Sequence, residues 1–114
     1  MTQRTPSEPK LMEDLLLGQI IEDAEQSRQI GCDPSVFLEM VQSHGPVEAC
    51  KRMIESPVLG QGLLRLQQAG RLDLTVEALV LRDRFKRLFD QPILATARKR
   101  LVDWSPQSLT KRQH

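Results

Sequence analysis

Apolar residues recur at three- and four-residue spacing along most of this chain, and glycine or proline stands at nearly every break between the runs. The first run predicts a helix from about Lys10 to Ile30. Leu11, Leu15, Leu16, Leu17, Ile20, Ile21 and Ala24 form its broad stripe, and Gly31 is its left-handed stop. Gly18 lies inside that stripe, where glycine costs about 1 kcal/mol in helix propensity, so a closely approaching helix is expected there. Asp33-Pro34 marks a second start, a capping side chain followed by proline in the first turn. The helix it opens carries Val36, Phe37, Met40 and Val41 on one face and stops at Gly45. Pro46 begins a third, with Val47, Cys50, Met53 and Ile54 inward and Glu48, Lys51, Arg52 and Glu55 outward, until Ser56-Pro57 ends it.

A fourth helix is expected from about Val58 to Ala69, apolar at Leu59, Leu63, Leu64 and Leu66 and closed by Gly70. The most apolar stretch follows. Val76, Leu79, Val80, Leu81, Phe85, Leu88 and Phe89 keep helical spacing and predict a buried helix over about Leu74 to Arg82, capped by Asp73. It either breaks near Asp83 or runs on through Phe89. Asp90 caps a last helix, about Gln91 to Trp104, whose inner stripe is Ile93, Ala97, Leu101 and Trp104. Pro92 is tolerated there because first-turn N–H groups have no helical partner to lose. Residues 1–9 are expected to be disordered and residues 105–114 to form a flexible tail. The pattern adds up to an all-α fold, a compact bundle of about six short helices in a single domain over 10–104.

Composition supports this reading. With three Phe, one Trp and no Tyr, the apolar material is mainly aliphatic, which favours helices packed on helices. A chain of 114 residues buries roughly two-thirds of its unfolded surface, enough for one cooperative core. No apolar run approaches the roughly 20 residues of a membrane span. The polar start with Pro6 and Pro9 is unlike a secretion signal, and Cys32 and Cys50 then read as reduced thiols of a cytoplasmic protein. The net charge of +1 hides an asymmetry: residues 1–57 hold five basic and ten acidic side chains, and residues 58–114 hold eleven and five. That split hints at a polar partner for the basic half, or at solvated faces.

Several strings of this sequence belong together: Phe37–Val41, Gly45–Ala49, Lys51-Arg52, Gly70–Leu81, then Phe85, Leu88-Phe89 and Ala97–Leu101. They resemble a small all-helical family of prokaryotes, marked by Gly-Arg-Leu-Asp-Leu-Thr-Val-Glu at Gly70–Glu77, whose members carry no settled function. The resemblance covers roughly residues 34–102. Two departures stand out: Leu66-Gln67-Gln68 where the family has a Trp and an acidic residue, and Asp90-Gln91-Pro92 where it has an acidic helix start. The resemblance implies a helical fold in a prokaryotic cytoplasm and supplies no catalytic residue.

Candidate chemistry is sparse. Cys50 falls on an inward face, and neither Cys32 nor His44 has the pairing of a nucleophile with its base or of a zinc site. Gly60-Gln61-Gly62 lacks the register of a phosphate loop. The expectation is therefore no enzyme, no metal, no cofactor and no small-molecule substrate. Arg71, Asp73 and Glu77 read as a polar corner that ties down a turn. Arg82, Arg84, Lys86, Arg87, Arg98, Lys99 and Arg100 form a basic cluster suited to nucleic acid or to an acidic protein surface. Leu15 and Leu17 point about 160° apart on a helix, more than one bundle face covers, so Leu11, Leu17 and Ile21 are candidates for self-association. The reading favoured is a non-catalytic protein-interaction or adaptor module whose partner is another protein or, through that face, a second copy of itself; the alternative is a nucleic-acid-binding or regulatory protein that uses the basic cluster of the C-terminal half.

Overall fold

The computed structural model describes residues 8–56 and 62–104. Among the described residues six α-helices follow one another: α1 (Glu8–Ile30), α2 (Ser35–His44), α3 (Pro46–Glu55), α4 (Gly62–Gln68), α5 (Val76–Val80) and α6 (Gln91–Trp104). Single 3-10 turns at Leu72–Leu74 and Lys86–Leu88 flank α5. The fold is all-α, and α3 lies at its centre, packed against α1, α2, α5 and α6. Its Ala49, Cys50 and Ile54 have no exposed surface, and Leu16 and Ile20 of α1, Val80 of α5 and Phe85 close around them. Expectations for the stretches before Glu8, after Trp104 and over residues 57–61 lie outside the described residues.

Two helices end in the same way. At Gly31 (φ 99°) the N–H donates to the Arg28 carbonyl and that of Cys32 to Ser27. At Gly70 (φ 70°) the N–H donates to Gln67 and that of Arg71 to Leu66. These are paired six-to-one and five-to-two closures, which satisfy the last carbonyls of a helix and require a residue at positive φ. α2 begins one residue later than expected. Asp33 Oδ1 accepts from the Ser35 N–H at 3.0 Å and its hydroxyl at 2.6 Å, which holds that carboxyl below its ordinary range. α6 agrees with its predicted bounds, with Asp90 Oδ1 reaching the Ile93 N–H at 3.4 Å.

The fifth helix differs from expectation. Asp73 does not cap it, because Arg71 takes both carboxylate oxygens at 3.0 Å each. Thr75, in extended backbone, is the cap: its hydroxyl accepts from the Ala78 N–H at 3.1 Å and donates to the Leu72 carbonyl at 2.7 Å. The helix breaks after Val80, and Leu81–Phe89 run in turns while still burying Phe85 and Phe89. On α2, Val36 is 70% exposed rather than inward, and Leu38 packs on the core instead. Gly18 has nothing within 4 Å of where a Cβ would stand, so no neighbouring helix explains it.

Candidate functional site

Burying a polar side chain is costly unless a partner replaces water. Among the described residues four such side chains are buried: Asp23, Ser27, Thr75 and Glu77. All four line one open cleft of about 840 Å³ to which each of the six helices contributes residues. Asp23 and Ser27, four residues apart, extend the Leu16–Ile20 stripe of α1, while Thr75 and Glu77 come from the start of α5.

Each charge in this layer is answered from a distant part of the chain. Arg100 of α6 donates to Glu77 Oε2 at 2.9 Å, to the Met53 carbonyl at 3.4 Å and to the Ser56 carbonyl at 2.6 Å. One guanidinium thus neutralises a buried carboxylate and satisfies carbonyls at the end of α3, where a helix has no partners of its own. Asp23 accepts from Gln19 at 2.9 Å and from Arg82 at 3.3 Å, and Arg82 also donates to the Asp73 carbonyl. Burial still holds the Asp23 carboxyl above its ordinary range. Among the described residues no buried side-chain nitrogen or oxygen lacks a hydrogen-bond partner.

The remaining walls are apolar. Ile20, Ala24 and Leu79 are buried beneath, and Phe37, Met40, Met53 and Trp104 are half-buried around them. Arg65 lies across Gly31, its Nη1 3.1 Å from the position of a Cβ there. Cys32, half-buried, is also in the wall, its thiol pushed up by burial and by Asp33. Cys50, in the core, is pushed up to about 12 by burial and by the Glu77 charge. Both thiols are free, and both are protonated at neutral pH. The described residues contain no group of three His, Cys, Asp or Glu side chains placed to hold a metal.

The polar corner expected at Arg71, Asp73 and Glu77 is divided. Arg71 joins Asp73 and reaches Gln26 of α1 at 2.9 Å, whereas Glu77 turns inward to Arg100. The basic cluster is divided as well. Arg82 and Arg100 serve the cleft, and Arg84 donates to Gln19 at 2.7 Å with its guanidinium 4.8 Å over the Phe85 ring. Lys86 pairs with Asp83 and Lys99 with Asp103, while Arg87 and Arg98 are exposed. Of the aliphatic residues set aside on α1, Leu11 is 47% and Ile21 57% exposed. Leu17 instead packs on the core, because it projects within about 20° of the buried Ala24; Leu15, on the other side of Leu16, is left half exposed.

No family model matches this chain, and no curated protein or solved structure does. No helix among the described residues is long and apolar enough to cross a membrane. The sequence reading missed Asp23, Ser27 and Thr75. Their signal was a polar residue at a position where the helical stripe calls for an apolar one, and a threonine immediately before an apolar run.

Proposed function

We propose that this chain is a non-catalytic protein-interaction module of a prokaryotic cytoplasm, with the cleft as the seat for an apolar segment of a partner protein. The observation that carries this reading is that the cleft's buried polar groups are already engaged by the chain itself. An occupant therefore gains most by offering apolar surface to Phe37, Met40, Met53 and Trp104. Methionine adapts to irregular shapes and aromatic side chains anchor interfaces, so this lining suits a peptide segment. Catalysis has no part in the proposal, since both thiols are held protonated. Nucleic-acid binding through Arg84, Arg87 and Arg98 is the competing reading, and the inward engagement of Arg82 and Arg100 weighs against it.

Selection of amphipathic helical peptides on the folded chain tests the proposal. Selected peptides should lose about tenfold or more in affinity on Met53→Lys and keep it on Leu64→Lys, which lies outside the cleft. Selection of no binder, or binders indifferent to Met53→Lys, would contradict the proposal.

A further inference from the structure

The chain answers nearly all the charge that lines the cleft, with one exception. Asp23 is met by Arg82, Glu77 by Arg100, and Arg52 by Glu48 at 3.0 Å. Arg65 of α4 lines the same cleft and is exposed, and among the described residues no group accepts a hydrogen bond or ion pair from it. Asp33, two residues beyond the glycine on which Arg65 lies, gives its carboxylate to the Ser35 N–H and hydroxyl instead.

Packing, not pairing, holds this cation in place. Its side chain runs along Gly31, where a Cβ would stand 3.7 Å from its Cδ and Cζ and 3.1 Å from its Nη1. The end of α1 offers it the partial negative charge of a helix C-terminus, but the Ser27 and Arg28 carbonyls there already accept from the Cys32 and Gly31 N–H groups. On either side of the next turn α4 is tied down: Leu66 is buried, and Gln67 donates to the Trp104 carbonyl at 3.3 Å. A guanidinium held in this way keeps its planar fork of donors open, and that fork matches a carboxylate.

We infer that the partner segment seated in the cleft carries an aspartate or glutamate beside its apolar anchors, and that Arg65 selects it; the inference rests on the cleft being the peptide seat. Apolar walls alone accept many amphipathic segments, whereas an unanswered cation beside them favours an acidic one and repels a basic one. Arg65 gives up no internal partner on binding, and the apolar segment itself shields the new pair from water. With Asp33 and Glu77 in the same walls, a single carboxylate fits better than a polyanion such as a nucleic-acid backbone.

Peptides selected on the folded chain test this, prepared with amidated C-termini so that only side chains supply carboxylate. Each binder should hold an acidic residue whose replacement by its amide weakens binding to the parent chain about tenfold, and by lysine further. On Arg65→Gln the amide replacement should change little, and on Arg65→Glu the lysine peptide should bind better than the acidic one. Arg65 is exposed, so both variants should keep the helical content of the parent. Equal affinity of the parent chain for the acidic and lysine peptides would overturn the inference without any change to the chain, as would an acid-to-amide loss that persists on Arg65→Gln. If such binders still weaken on Met53→Lys, the cleft remains the seat and only the role of Arg65 is lost. Binders indifferent to Met53→Lys, or no binder at all, would overturn both readings.

Discussion

The two sides of α1 carry similar residues and do different work. Leu16 is fully buried and its neighbour Leu15 is half exposed; Asp23 is buried against Gln19 and Arg82, and its neighbour Glu22 is exposed. Residue type therefore says little about role on this helix. Position relative to α3 and α5 decides whether a carboxylate becomes part of a buried ionic layer or an outer charge. The same holds for the basic residues, where Arg100 faces the interior and Arg98, two residues earlier, faces water.

The largest effect should come from breaking the inner side. Arg100→Met leaves Glu77 buried without its cation and frees carbonyls at the end of α3, and should cost about 3–5 kcal/mol in urea unfolding. Adding Glu77→Leu to that variant should recover much of the loss, because the uncompensated charge is gone. No recovery would mean that the guanidinium acts mainly through the Met53 and Ser56 carbonyls. Next come the apolar neighbours. Leu16→Ala and Leu79→Ala should each cost about 2–5 kcal/mol, against about 0.5 kcal/mol or less for Leu15→Ala. Similar losses at Leu15 and Leu16 would erase the contrast between the two sides.

Much of this architecture was legible in the sequence, for identifiable reasons. α2, α3 and α6 are punctuated by Asp33-Pro34, Gly45-Pro46 and Asp90, whose effects act within one turn. α5 was harder, because Asp73 and Thr75 both qualify as caps, and only the competition from Arg71 for the Asp73 carboxylate decides between them. The candidate site was largely hidden. Arg82 meets Asp23 across 59 residues and Arg100 meets Glu77 across 23, and helical spacing carries no information about such pairings.

Smaller effects should appear in acid, with opposite signs at two aspartates. Burial holds the Asp23 carboxyl above its ordinary 3.8, so the folded chain takes up that proton more readily than the unfolded chain. Ionised Asp23 therefore costs stability as pH rises from 3.8 through its raised value, and the cost is relieved as pH falls back. Arg71 holds Asp73 below 3.8, so its contribution is full above 3.8 and is lost as pH falls through the lowered value. Urea midpoints across the acid range should show the parent gaining on Asp23→Asn as pH falls, and losing ground to Asp73→Asn. Parallel slopes for the two variants would remove the distinction between buried and exposed acid.

The cleft itself contains a reporter. Trp104, the single tryptophan of the chain, is half-buried in its wall. Titration with a selected helical peptide that lacks tryptophan and tyrosine should move its emission to shorter wavelength and saturate, as an apolar segment displaces water from the indole. Ala24→Phe places a ring where a small buried side chain now lines the cleft, and should abolish that shift while the helical spectrum is retained. Saturable peptide binding that leaves Trp104 emission unmoved, or a shift that survives Ala24→Phe, would contradict the cleft as the docking seat.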